Sequence, residues 1–235
     1  MRNYFTFGTI DSRNFGVYIS GSGVFNSPER EFNMVDVPGR NGSVILSATR
    51  FPNLELTYPA FIYTNFKNNL AALRSALQSI QTYQKLSDTY NTDEFRMAVY
   101  AADFAIAATK PLRAGEFELT FSCKPQRFLT IGETEVAVDD GDEITNPTAF
   151  DSLPKITVTG YGTLYIGSQR IVISDVFPSV VIDSELGDCY YGINNANSVV
   201  AFADNDFPVL HPGANGITFD ETITGLEIVP RWWRI

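Results

Sequence analysis

The sequence predicts a mainly β protein of the α+β kind, with two domains and one substantial helix. Three observations carry that expectation. Short runs of alternating apolar and polar residues, bounded by Gly, Pro, Asn and Ser, recur along almost the whole length. One stretch near residue 70 changes to a period of three to four. The charge is unevenly divided: residues 1–130 hold 13 Lys and Arg against 11 Asp and Glu, whereas residues 131–235 hold 4 against 16. A length of 235 residues with 44% hydrophobic and 19% charged side chains suffices for two folded cores. The expected domains are 1–130 and 131–235.

Strands are expected over Tyr4–Ile10, Phe15–Ser20, Glu31–Val37, Ser43–Thr49 and Leu54–Ala60, punctuated at Gly21-Ser22-Gly23, Ser27-Pro28 and Pro38–Gly42. The turn Val37-Pro38-Gly39-Arg40-Asn41-Gly42 carries an arginine at its tip. Loop tips carry binding contacts and buried arginines are rare, so Arg40 and Asn41 are either a solvated corner or a docking contact. Phe66, Leu70, Leu73, Leu77 and Ile80 recur at helical spacing, with Thr64 or Asn65 placed to cap the first turn and Lys67 where a full capping box would need Glu. Glu94–Ala102 and Gly115–Cys123 read as further strands. Between them Asp103–Ala114 is a long connection, whose tip Lys110–Gly115 is a solvated loop or part of a subunit contact.

Lys124-Pro125-Gln126-Arg127 and the acidic Asp139-Asp140-Gly141-Asp142-Glu143 mark the expected junction. The acidic run lacks the Asp-x-Asp-x-Asp-Gly ligand order of a calcium loop and reads as a solvated linker or turn. Beyond Pro154 every run is β: 155–159, 163–166, 169–174, 180–184, 198–203, 216–219 and 225–230. Gly167-Ser168 is a two-residue hairpin signal. Short strands at this spacing argue for a sandwich or jelly roll. If the chain end is one strand, Leu226, Ile228, Pro230 and Trp232 share one face and Glu227, Val229, Arg231 and Trp233 the other. Trp232 is then the core ring. Trp233 beside Arg231 either covers its own domain or meets another surface, with a cation–π pair as an option.

Several chemistries are excluded. The acidic second half repels phosphate and the first half has no basic stripe, so the chain is not built to grip nucleic acid. His211 is the sole histidine and no Gly-x-Ser-x-Gly elbow is present. Gly160-Tyr161-Gly162 lacks the third glycine of a dinucleotide loop, and there is neither a Walker lysine nor an HExxH. Asp183 and Glu185 share one side of a strand, yet chance pairs are expected among so many acids. Cys123 and Cys189, in different domains, read as plain thiols, and no metal or cofactor is expected. The residues after Met1 read as a strand and not a leader, and no apolar run nears the roughly 18 residues of a membrane span, so synthesis in a cytoplasm is expected.

The order of several segments resembles the distal tail protein (Dit) family of long-tailed bacteriophages. They are Phe5-Thr6-Phe7-Gly8, Asp11-Ser12, Gly16-Val17, Val37–Gly42, Tyr83–Asp88, Asp93–Arg96 and Phe121–Pro125, then Asn146-Pro147-Thr148, Val181–Glu185, Phe207–Asn215 and Pro230–Trp233. The resemblance implies an N-terminal sheet-and-helix domain that forms a hexameric ring and a galectin-like C-terminal sandwich. It implies a non-enzymatic tail-tip adaptor in the virion, joining the tail tube to the hub or tail-associated lysin-type protein, with DNA passing through the lumen. Stacked rings and a receptor-binding protein are further implied options. Relatives often carry a tryptophan late in the helix, and Leu73–Leu77 has none. On this reading Arg40, Asn41, Arg231 and Trp233 are the candidate interface. The alternative is a carbohydrate-binding module in the acidic sandwich, with Tyr190, Tyr191 or Trp233 as the aromatic platform.

Overall fold

The computed structural model describes residues 2–21, 26–48, 50–101, 114–174, 178–203 and 205–235. The chain divides into two compact units, Met1–Arg127 with Ile235, and Phe128–Arg234. Ala102, most of the connection after Asp103 and its tip from Lys110 to Arg113 lie outside the described residues, as do Ser22, Gly23 and Thr49.

In the first unit, β1 (Phe5–Phe7) and β2 (Ile10–Asp11) make a tight hairpin with Phe7 opposite Ile10. The alternation reads there as one strand, but Gly8 at φ +56° reverses the chain. A 3-10 turn over Ser12–Phe15 follows. The Asp11 carboxylate opens it by accepting from the Arg13 amide at 2.9 Å, and Gly16 at φ +64° closes it. Next come β3 (Val17–Ile19), β4 (Phe32–Asp36), β5 (Ser43–Ala48), β6 (Leu54–Ile62), α1 (Phe66–Ser79), β7 (Gln84–Asp88), β8 (Glu94–Val99) and β9 (Gly115–Leu129). The main sheet runs β2-β1-β7-β8-β9-β6-β3, while β4 and β5 form a separate two-stranded ribbon.

Strands β6 and β9 are the spine, antiparallel from Leu54 opposite Cys123 to Ile62 opposite Gly115. Leu56, Tyr58 and Ala60 therefore share a face with Phe121, Leu119 and Phe117. Phe66, Leu70, Leu73 and Leu77 of α1 join these residues in one core. Burying four such side chains contributes on the order of 10 kcal/mol before entropy is subtracted. Asn65 occupies the N-cap position, but at φ +51° its side chain makes no cap bond and instead accepts from Asn68 Nδ2 at 3.1 Å. Phe66 anchors the first turn over Gly115, where a Cβ would lie 2.3 Å from its ring.

The second unit comprises β10 (Val136–Ala137), β11 (Glu143–Asn146), β12 (Lys155–Gly160), β13 (Gly162–Ile166), β14 (Gln169–Ile173) and β15 (Val180–Asp183). It continues with β16 (Asp188–Tyr191), β17 (Asn194–Asn195), β18 (Val200–Phe202), β19 (Gly213–Phe219), β20 (Ile223–Val229) and β21 (Trp233–Arg234). One sheet runs β10-β20-β12-β15-β16-β17 and the other β11-β19-β13-β14-β18. Ile156, Ile182, Leu226 and Ile228 of the first meet Leu164, Ile166, Ile171 and Ile217 of the second in a single core, which is a β-sandwich. Gly167-Ser168 closes the hairpin between Ile166 and Gln169, with a positive φ at the glycine alone, as a type II′ turn requires. The acidic run is a turn inside this unit. Asp142 accepts from the Asp139 amide at 3.0 Å and Asp140 from the Phe219 amide at 2.8 Å, so two of its carboxylates satisfy backbone donors.

Candidate assembly surfaces

The β4–β5 ribbon presents the Arg40 turn. Its strands pair Met34 with Ile45, Val35 with Val44 and Asp36 with Ser43, and Ser43 Oγ donates to Asp36 at 2.7 Å beside the turn. Gly39 at φ +82° and Gly42 at φ +78° shape the loop, and the Arg40 amide donates to Val37 O at 3.1 Å. Arg40 and Asn41 are exposed, and among the described residues neither side chain makes a hydrogen bond or ion pair.

Because side chains alternate, the Met34–Ile45 pair and the Val35–Val44 pair lie on opposite faces of the ribbon. Phe32, Met34, Ile45 and Leu46 are each about half exposed, at 47, 53, 56 and 63%. Among the described residues the ribbon is apolar on both faces, pairs with no third strand and leaves the Met34–Ile45 face exposed. The signal was present in sequence as Val44-Ile45-Leu46, three apolar residues in succession in a short strand. Such a run cannot put all its side chains on one face.

Arg231 sits quite differently. Its Nη1 and Nη2 meet the two Asp183 oxygens at 2.6 and 2.8 Å, and Nη1 lies 3.6 Å from Glu185. Its amide donates to Gly132 O at 2.8 Å and its guanidinium reaches Leu153 O at 3.4 Å. One residue, through its side chain and its amide, thereby ties three segments together. Burial alone would raise the Asp183 carboxyl, but the Arg231 hydrogen bonds and the Leu186 and Glu185 amides outweigh it and hold the group below the ordinary carboxylate range. The hydrogen bond to Asp183 raises Arg231 in return. Arg231 adopts φ +55°, which ends β20 at Val229 and separates it from β21. The expected single terminal strand is thus broken, because the arginine turns inward to reach Asp183.

Trp232 is buried in the sandwich core. Trp233 stacks on Phe150 at 4.4 Å and 19°, and its Nε1 donates to Asp151 O at 2.9 Å. Arg231 and Trp233 make no cation–π contact with each other, since each is committed to other partners within the second unit. Tyr190 and Tyr191 are half-buried successive residues of β16, opposite Asn195 and Asn194. Their alternation sends the two rings to opposite faces. His211 Nδ1 is 2.9 Å from the Asp151 carboxylate on the surface.

For two charged residues of the first unit nothing in the sequence signals burial. Arg96 is buried, donating to Pro125 O and Asn26 O at 3.2 and 3.1 Å, and beside it buried Glu94 pairs with Arg127. They are legible only once β8 and β9 are adjacent. Cys123 and Cys189 are both buried free thiols, pushed by desolvation up to about 12. Among the described residues no group of His, Cys, Asp or Glu is placed to hold a metal ion, and no helix is long and apolar enough to cross a membrane.

No protein-family model and no curated protein matches the chain. Among solved structures it is similar to SPP1 Dit (gp 19.1), a crystal structure described as a paradigm of the hub adsorption apparatus in phages infecting Gram-positive bacteria. The TM-score is 0.75 at 12% identity, over 97% of this chain and 98% of that one. The chain therefore has the fold of a phage distal tail protein from end to end.

Proposed function

We propose that this chain is a structural adaptor of a bacteriophage tail tip. Six copies close into a ring through the first unit, between the tail tube and the hub protein, and leave a lumen for DNA during ejection. The protein is made in the host cytoplasm and resides in the virion.

The observation that carries this reading is the end-to-end match in fold to a protein of a hub adsorption apparatus. The β4–β5 ribbon supports it, because two exposed apolar faces with an unpartnered Arg40 at the turn are what a contact between copies uses. Charge is consistent with it as well: DNA must slide past without being held, and residues 1–130, which form the ring on this reading, are near neutral with 13 Lys and Arg against 11 Asp and Glu. Arg231 and Trp233 serve in this scheme to brace the sandwich.

Light scattering over a concentration series tests the proposal. A mass near that of a closed ring, or of a stacked pair of rings, is expected for the chain alone or with the tube protein added. Arg40→Ala should lower ring occupancy while leaving the fold intact. A monomer under all conditions, including with tube and hub proteins present, would overturn the ring.

A further inference from the structure

The sequence contains two Asn-Gly dipeptides, Asn41-Gly42 and Asn215-Gly216, and the fold treats them oppositely. We propose that Asn41 is a site of spontaneous deamidation, and that the fold protects Asn215 from the same reaction.

In this reaction the main-chain nitrogen of the glycine, after losing its proton, attacks the asparagine Cγ. The new N–Cγ bond closes a five-membered succinimide, and the Cγ–Nδ2 bond breaks with ammonia leaving. Water then opens either carbonyl of the ring to give aspartate or isoaspartate. No oxidant, reductant or enzyme is required. Two conditions govern it: the asparagine side chain must be free to swing onto the next amide, and that amide must be unhindered and not committed to a hydrogen bond.

Asn41 meets both. Its side chain is exposed and has no partner among the described residues. Gly42 precedes the first paired residue of β5, Ser43, and its amide makes no hydrogen bond within the turn. Among the described residues, no atom beyond its two chain neighbours lies within 4 Å of where a Gly42 Cβ would stand.

Asn215 fails the first condition. It is 4% exposed and lies within β19, opposite Ile144. Its Oδ1 accepts from the His211 amide at 2.9 Å, while Nδ2 donates to His211 O and Gly213 O at 2.8 and 2.9 Å and lies 3.3 Å from Ile144 O. Turning Cγ onto the Gly216 nitrogen would break every one of these bonds in a buried setting.

Conversion at residue 41 replaces a neutral amide with a carboxylate next to Arg40, and the iso form also lengthens the main chain of the turn by a methylene. On the ring reading, converted chains therefore assemble less well. That consequence rests on the proposed function, whereas the reactivity does not.

The test is to hold the full chain in mildly alkaline heavy-oxygen water at physiological temperature and map the label by peptide mass spectrometry, in native buffer and in denaturant. Conversion at Asn41 should run about tenfold or more faster than at Asn215 in the folded protein, a ratio equivalent to ~1.4 kcal/mol of barrier. In denaturant the two rates should converge. Equal rates in the folded protein, or an unlabelled Asn41, would overturn the assignment. Size-separated fractions then test the consequence. Depletion of converted chains from the assembled fraction supports it, and equal representation overturns it while leaving both the site and the ring in place.

Discussion

Arg231 and Asp183 are joined by two parallel hydrogen bonds of 2.6 and 2.8 Å, with the arginine main chain held in the left-handed region to make them. Removing either partner leaves the other charge enclosed without its main counter-charge. Asp183→Asn or Arg231→Met should destabilise the second unit by about 3 kcal/mol, the lower end of the range for breaking a buried pair. Thermal unfolding followed by tryptophan fluorescence reads this unit directly, because both tryptophans lie in it. An unchanged midpoint would remove the bracing role.

The same pair sets an acid response. The Asp183 carboxyl is held below its unfolded value of about 3.9. Its contribution is fully present above that value and is lost as pH falls through the lower folded one. Acid titration of the wild type should therefore show a steeper fall in stability below about pH 4 than titration of Asp183→Asn. Parallel curves would show that other carboxylates govern the acid limit.

Gly115 permits the close approach of Phe66 at the start of α1. A methyl group at residue 115 would sit 2.3 Å from the ring and force the helix outward. Gly115→Ala should destabilise by about 1–3 kcal/mol, as overpacking does. Adding Phe66→Leu should recover part of that loss in a double-mutant cycle. Strict additivity in chemical denaturation would place the cost elsewhere.

The exposed ribbon separates folding from assembly. Ile45→Asp alters a side chain 56% exposed in a single chain, so it should shift stability by no more than about 0.5 kcal/mol. If the ribbon lies in the proposed ring contact, the oligomer mass should nevertheless fall, because the new charge enters that face. A variant that assembles normally would exclude the ribbon from the interface.

Neither thiol should react in the folded state. With both cysteines buried and pushed up to about 12, alkylating reagents should modify Cys123 and Cys189 only as fast as each unit unfolds. Prompt labelling in native buffer would contradict the burial.

Much of this architecture is legible in the sequence because its signals are periodic. The helix is read from Phe66, Leu70, Leu73 and Leu77, and Trp232 is placed in the core by simple alternation with Leu226 and Ile228. What escapes is set by single residues or by tertiary partners. Strand β7 has only Leu86 buried along its length, too little to make a pattern. Strand β9 continues through Pro125, which reads as a breaker, because its pairing with β6 ends at Cys123 and no bond to β6 is asked of the proline. Asn65 takes the cap position without capping, since its left-handed backbone turns the side chain toward Asn68. Of the candidate contacts, Arg40 and Arg231 look alike as arginines beside turns. Only the placement of Asp183 distinguishes the one held inside from the one left outside.

The two-stranded ribbon bears on how copies would come together as well as where. Among the described residues its strands have no third strand to align them, and a two-stranded ribbon by itself is marginal in a solitary chain. On the proposed ring, a first encounter between two chains must order the ribbon as well as bind it, and this offsets part of what the contact gains. Later encounters meet a ribbon already held in place. The proposed ring should therefore be slow to nucleate and quick to complete, with a sharp concentration threshold and few partial rings.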